Sequence, residues 1–135
     1  MSRMLRGTWL VGGGFEGEVL CLDEALSFWG GFDASTGTVI DRSHPQVGAS
    51  LAGRVVAMPG SKGSSGTPGV LGESIRRGTG PAAMVVTKAD INLVAGALTA
   101  AALYDCRCPI LLVDSAQLDS LIDGESVTAL PEEAS

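Results

Sequence analysis

From Gly53 onward the chain alternates short apolar runs with longer amphipathic ones, the rhythm of strands exchanged with helices. RVVAM (54–58) has the length and apolarity of a buried strand. Thr67 and Pro68 then supply N-cap and first-turn signals for a helix whose Val70, Leu71, Ser74 and Ile75 share one face and which Gly78 stops. AAMVVT (82–87) predicts a second strand. Asp90 predicts the cap of a helix over 91–104 with Leu93, Val94, Ala97, Leu98 and Ala101 inward, and PILLVD (109–114) predicts a third strand. This order calls for right-handed crossovers and a parallel sheet segment.

The first half is less periodic. MLRGTWLV (4–11) and EVLCL (18–22), joined by GGGFEG, predict a β-hairpin with a glycine-rich turn. Residues 26–54 show neither helical nor strand period over a useful length, and long irregular segments in compact domains are commonly functional. A short helix or strand is expected near Leu118 to Val127, and the acidic tail over about 128–135 is expected to fray. The pattern predicts one α/β domain over 1–135 with mixed β content.

Composition narrows the partners. No run reaches the roughly 18 apolar residues of a membrane span, and the glycine-interrupted start is a poor signal peptide, so neither a membrane nor export is expected. A net charge of −6, with Lys62 and Lys88 the only lysines, lacks the positive footprint nucleic acid requires. Cys21, Cys106 and Cys108 form no even framework and suit a reducing cytoplasm. Cys106 and Cys108 make a C-x-C, but His44 is the lone histidine. Inert thiols are therefore expected, and no metal held by this chain alone.

Candidate chemistry gathers in two loops. PGSKGSSGT (59–67) lies between a strand's C-terminal end and a helix N-terminus, where open α/β sheets place ligands and backbone N–H groups favour an anion. A serine there could have its alkoxide stabilised; the same stretch also reads as a flexible turn whose serines cap the helix. Lys62 precedes Gly63 and the two serines where the P-loop pattern wants a lysine directly after its last glycine, so that pattern fails. LSFWGGFD places Phe28, Trp29 and Phe32 beside Gly30 and Gly31, as an interface, a cleft wall or a loop folded back on its own sheet. His44 in DRSHP fits a general acid or base or a structural hydrogen-bonding role, and Asp33 and Asp41 fit turns and caps.

In combination, S-F-W-G-G-F-D, S-H-P, a strand ending in M-P-G, K-G-S-S, and V-L-x-E-x-I-R-R-G resemble the small-subunit, or swivelling-domain, family of the aconitase X proteins, from Leu26 to roughly Val113. The resemblance implies the β/β/α swivelling-domain architecture of the aconitase mobile domain, with a partly parallel sheet. It implies a dehydratase in two parts, with an iron or iron-sulfur centre on a large subunit and a catalytic serine on the small one. Carried over, the first serine of the motif is Ser64, the proton-abstracting base; Lys62, Gly63, Ser65 and Gly66 would bind substrate or shape the loop. Phe28, Trp29, Phe32, Asp33 and His44 are candidates for the cleft or the subunit junction.

Aconitase itself carries an arginine after the serine pair, where this chain has Gly66, which argues against citrate or isocitrate. The substrates the wider family implies are cis-3-hydroxy-L-proline and mevalonate 5-phosphate; the low charge and scarce lysine tilt toward the first. Starting at Met1 and stopping soon after the domain, the chain reads as a separate small subunit that forms a heterodimer. The rivals are a non-enzymatic anion-binding module and a phosphohistidine carrier, although His44 lacks the helix a carrier site would want.

Overall fold

The structure is a computed structural model and describes residues 2–62 and 65–131. Strands β1 (Arg3–Met4), β2 (Thr8–Val11), β3 (Phe15–Cys21), β6 (Val55–Ala57), β7 (Ala83–Val86), β8 (Ile110–Leu112) and β9 (Ser126–Ala129) form one sheet in the order β1-β9-β3-β6-β7-β8-β2. A two-stranded piece, β4 (Phe32–Asp33) with β5 (Thr38–Val39), lies in the irregular segment after α1 (Phe28–Gly31), a single distorted turn. Helices α2 (Thr67–Arg77) and α3 (Ile91–Tyr104) connect β6, β7 and β8, which run parallel as expected. A short α4 (Ser115–Asp119) precedes β9.

Side-chain alternation explains why the central strands read as continuous apolar runs. Val19, Val55, Ala57, Ala83, Val85 and Leu111 face one buried cluster. Their neighbours Leu20, Val56, Met58, Met84, Val86 and Ile110 face a second cluster, shared with Leu71, Ile75, Leu93 and Ala97 of the helices. A sheet covered on both faces needs no polar side. The first cluster exists because the sheet curls. Its outermost strands β1 and β2 are joined by residues 5–7 alone, a link of about 14 Å at full stretch, whereas a flat sheet would part them by about 29 Å. Beside that seam lies a cavity of about 300 Å³ lined by Met4, Arg6, Trp9, Leu111 and Leu130.

The seam depends on Gly7. A Cβ there would run into the Leu112 carbonyl, whose carbon would lie 3.0 Å away, just where Thr8 pairs with Leu112. Gly7→Ala is therefore expected to loosen β2 from β8 and cost about 2 kcal/mol, the scale of overpacking, read by urea unfolding.

Three expectations are corrected. The first two strands form no hairpin: β2 pairs antiparallel with β8, and β3 lies between β9 and β6. Gly13 and Gly14, at φ 139° and 69°, turn the chain so that the strands meet through side chains instead, the Trp9 and Phe15 rings packing edge-on at 5.8 Å. Leu98 points outward, 52% exposed. The buried side of α3 is Leu93, Gly96, Ala97 and Ala100, because Gly96 lets α2 come so close that a Cβ there would sit 3.1 Å from the Pro68 carbonyl oxygen. Thr128 and Ala129 do not fray; they lie in β9, paired with Glu16 and Phe15, with Val127 and Ala129 in the inner cluster. Residues 132–135 lie outside the described residues.

Candidate active site

The loops that leave the C-terminal ends of β3, β6 and β7 are tied together. The β6–α2 loop is fastened first to the β7–α3 loop: the Thr87 amide donates to the Pro59 carbonyl at 3.3 Å. Asp90 makes the stronger tie. Its Oδ1 caps α3, accepting from the amides of Asn92 (3.1 Å) and Leu93 (3.2 Å), and its Oδ2 accepts from both the amide and the hydroxyl of Ser61 at 2.7 Å each. One carboxylate thus sets a helix start and the base of the serine loop.

The aromatic loop closes the other side. Leu26 bridges Ser61, and the Lys62 amide donates to the Leu26 carbonyl at 3.0 Å. The indole of Trp29 lies over Gly66, so close that a Cβ there would come within 2.6 Å of Trp29 Cε3. Gly66 is thus required by contact, independently of any role in chemistry. Gly63 and Ser64, the expected loop-shaping and catalytic residues, lie outside the described residues. Their neighbours Lys62 and Ser65 are exposed.

Beyond the loop α2 begins with no acidic residue in its first turn, at the positive end of the helix. Thr67, at its start, is fully buried, and its hydroxyl has no hydrogen-bond partner among the described residues. Backbone N–H groups at this end of α2 suit a carboxylate or phosphate group.

The remaining candidates divide. Trp29 is 65% exposed, but Phe28 and Phe32 are buried and pack edge-on at 5.2 Å, inside the domain's own core and not at a cleft or junction. The turn at Trp29 and Gly30 accounts for the split, since its non-helical backbone sends consecutive rings to opposite sides. His44 is buried too: Nδ1 accepts from the Gln46 amide at 3.0 Å, so Nε2 carries the proton and donates to the Glu24 carbonyl at 3.1 Å. Both nitrogens are engaged in holding the loop, and neither faces a cleft. Asp33 accepts from the Ser35 hydroxyl (2.7 Å) and amide (2.9 Å), which hold its carboxyl below the usual range. It sits in the turn fastened to the far end of α2 through Thr79 Oγ1 and the Ala34 carbonyl, a helix length of about 16 Å from the serine loop. Asp41 repeats the motif with Ser43, whose bonds lower its pKa chiefly, with help from the Lys62 charge.

The donors among the described residues do not fit an iron centre. Among the described residues no three His, Cys, Asp or Glu side chains gather where one ion could sit. Burial pushes the Cys108 thiol up to about 12, and burial with Asp123, Glu125 and Asp23 raises that of Cys21. Both thiols stay protonated near neutral pH. No described helix is long and apolar enough to cross a membrane.

A curled, mostly parallel α/β sheet with an anion-suited helix start beside a Gly-Ser loop defines a mobile-domain fold of the aconitase kind. The chain belongs to the aconitase X swivel domain family, whose model matches residues 4–133. It is 44% identical over 101 residues to a cis-3-hydroxy-L-proline dehydratase of Pseudomonas aeruginosa, covering 75% of this chain and 17% of that protein. It is 48% identical over 81 residues to a phosphomevalonate dehydratase small subunit of Methanopyrus kandleri, covering 60% of each. The chain thus spans less than two-thirds of the length of both. The crystal structure of Thermococcus kodakaraensis aconitase X in its holo form superposes with a TM-score of 0.80 at 32% identity, covering 92% of this chain and 88% of that one.

Proposed function

We propose that the chain acts as one swivelling domain, the small part of a two-part aconitase X type hydro-lyase, and that it dehydrates cis-3-hydroxy-L-proline to Δ1-pyrroline-2-carboxylate with a large subunit as partner. The observation that carries this reading is the α2 start: a first turn with no acidic residue and a buried Thr67 hydroxyl without a partner among the described residues, directly after the Gly-Ser loop that also contains Lys62. That end holds the substrate carboxylate. Ser64 takes the proton from the carbon bearing it, the adjacent hydroxyl leaves as water, and the resulting C=C tautomerises to the imine. Carrying the serine on a mobile domain lets substrate enter before the site closes and water is excluded. The iron or iron-sulfur centre belongs, in this reading, to the large subunit.

A second reading, the small subunit of a mevalonate 5-phosphate dehydratase, is favoured by the Methanopyrus relative and by the same anion-suited helix start, which accepts phosphate as readily. The test co-expresses the chain with the large-subunit candidate of the same genome, purifies the pair anaerobically and assays both substrates. Turnover of cis-3-hydroxy-L-proline by the pair alone is the expected result. Turnover of mevalonate 5-phosphate only would assign the second reading. Binding of a small acid by the isolated chain, with no association, would leave an anion-binding module.

A further inference from the structure

Helix α3, INLVAGALTAAALY, contains no charged residue, whereas α2 carries Glu73, Arg76 and Arg77. The inner side of α3 is accounted for by Leu93, Gly96, Ala97 and Ala100 against the sheet and α2. Its outer side is mostly apolar, with Ile91 78%, Leu98 52% and Leu103 67% exposed beside a single exposed threonine, Thr99. Ile91, Leu98 and the exposed Ala102 recur at seven and four residues and lie in line along the helix. A helix without charge that exposes this much apolar side chain on its outer side is typical of one covered there.

Two further observations say what covers it. The stripe starts at Ile91, directly after the Asp90 carboxylate that holds Ser61, so it borders the loop that faces substrate. A second copy of this chain seated there would stand at the mouth of that loop. In the Pseudomonas relative, the matching region is only 17% of the length, so most of that dehydratase lies outside its swivel region.

We infer that the outer face of α3, centred on Ile91, Leu98 and Ala102, is the surface on which the large subunit docks, through an apolar patch of its own. The inference rests on the reading of this chain as the small part of a dehydratase. An apolar contact along one helix edge fits a domain that must swing, since it has no ion pairs to break in register.

The test is dissociation of the co-expressed pair, measured by sedimentation with wild type, Leu98→Glu, Ile91→Ser and, as a control on the β1–β2 seam, Leu130→Glu. Leu98→Glu is expected to weaken the pair at least 100-fold and Ile91→Ser at least 10-fold, with Leu130→Glu like wild type. Melting temperatures of the isolated variants check that Leu98→Glu folds; Ile91→Ser, at a position 78% exposed, keeps the test standing if it does not. Wild-type affinity in both α3 variants would overturn the inference. So would a homodimer of the isolated chain that Leu98→Glu splits while the large subunit still binds it. If the wild-type chain fails to bind the large subunit at all, the small-subunit reading falls first and takes the inference with it.

Discussion

Ser64→Ala is expected to reduce kcat of the assembled dehydratase about 10³-fold, a loss of about 4 kcal/mol in transition-state stabilisation. The reasoning starts from what the loop lacks. PGSKGSSGT contains no histidine or carboxylate to activate a hydroxyl, so an alkoxide there must be stabilised by fixed positive charge. The start of α2, with no acidic residue in its first turn, is one such source, and Lys62 stands two residues before Ser64 in the sequence. On the proposed reading substrate is held by the helix start and not by the hydroxyl, so KM should change little. A loop hydroxyl contributes little to the core, and stability should stay within about 0.5 kcal/mol of wild type. Ser65→Ala, at the exposed neighbouring position, should keep activity within a few-fold. Steady-state kinetics on the purified pair decide it, and a Ser64→Ala enzyme within a few-fold of wild type would remove the serine from the chemistry.

The parallel core was legible because its signals are local. Val55 to Ala57, Ala83 to Val86 and Ile110 to Leu112 fall inside the apolar runs that predict them, and Gly78 caps α2 in the left-handed conformation its position suggests. What was illegible depends on distant parts of the chain. The partner of β2 is β8, about a hundred residues away, and nothing in GGGFEG distinguishes a hairpin turn from one that sends two strands to different places in a curled sheet. The buried side of α3 is set by small residues: Gly96 lets α2 approach, and an apolar count that favours large side chains turns Leu98 inward. Phe28, Trp29 and Phe32 look alike in sequence, yet a non-helical Trp29 and Gly30 divide them between core and surface. Of the candidate site, the sequence marks the serine motif, and the support that another loop gives its base at Ser61 is not legible there.

Asp90 is the clearest case of such support, and its replacement should separate fold from function. The sequence shows only a cap, since the aspartate precedes a helix. The structure shows two bonds to the helix and two to Ser61. Asp90→Ala removes all four and is expected to cost about 2 kcal/mol, the upper range for an N-cap with charge-assisted bonds. It should also lower kcat about 10²-fold, because a serine loop released at its base no longer presents its side chains in a fixed geometry. Asp90→Asn divides the two effects. Its single amide oxygen can still cap α3, but the amide nitrogen then faces the Ser61 amide, donor against donor. Stability should therefore return most of the way while turnover stays low. Urea unfolding of the isolated chain and kinetics of the pair read the two separately. If Asp90→Asn restored both together, Asp90 would act only as a helix cap, and the serine loop would take its position from the Trp29 and Leu26 side alone.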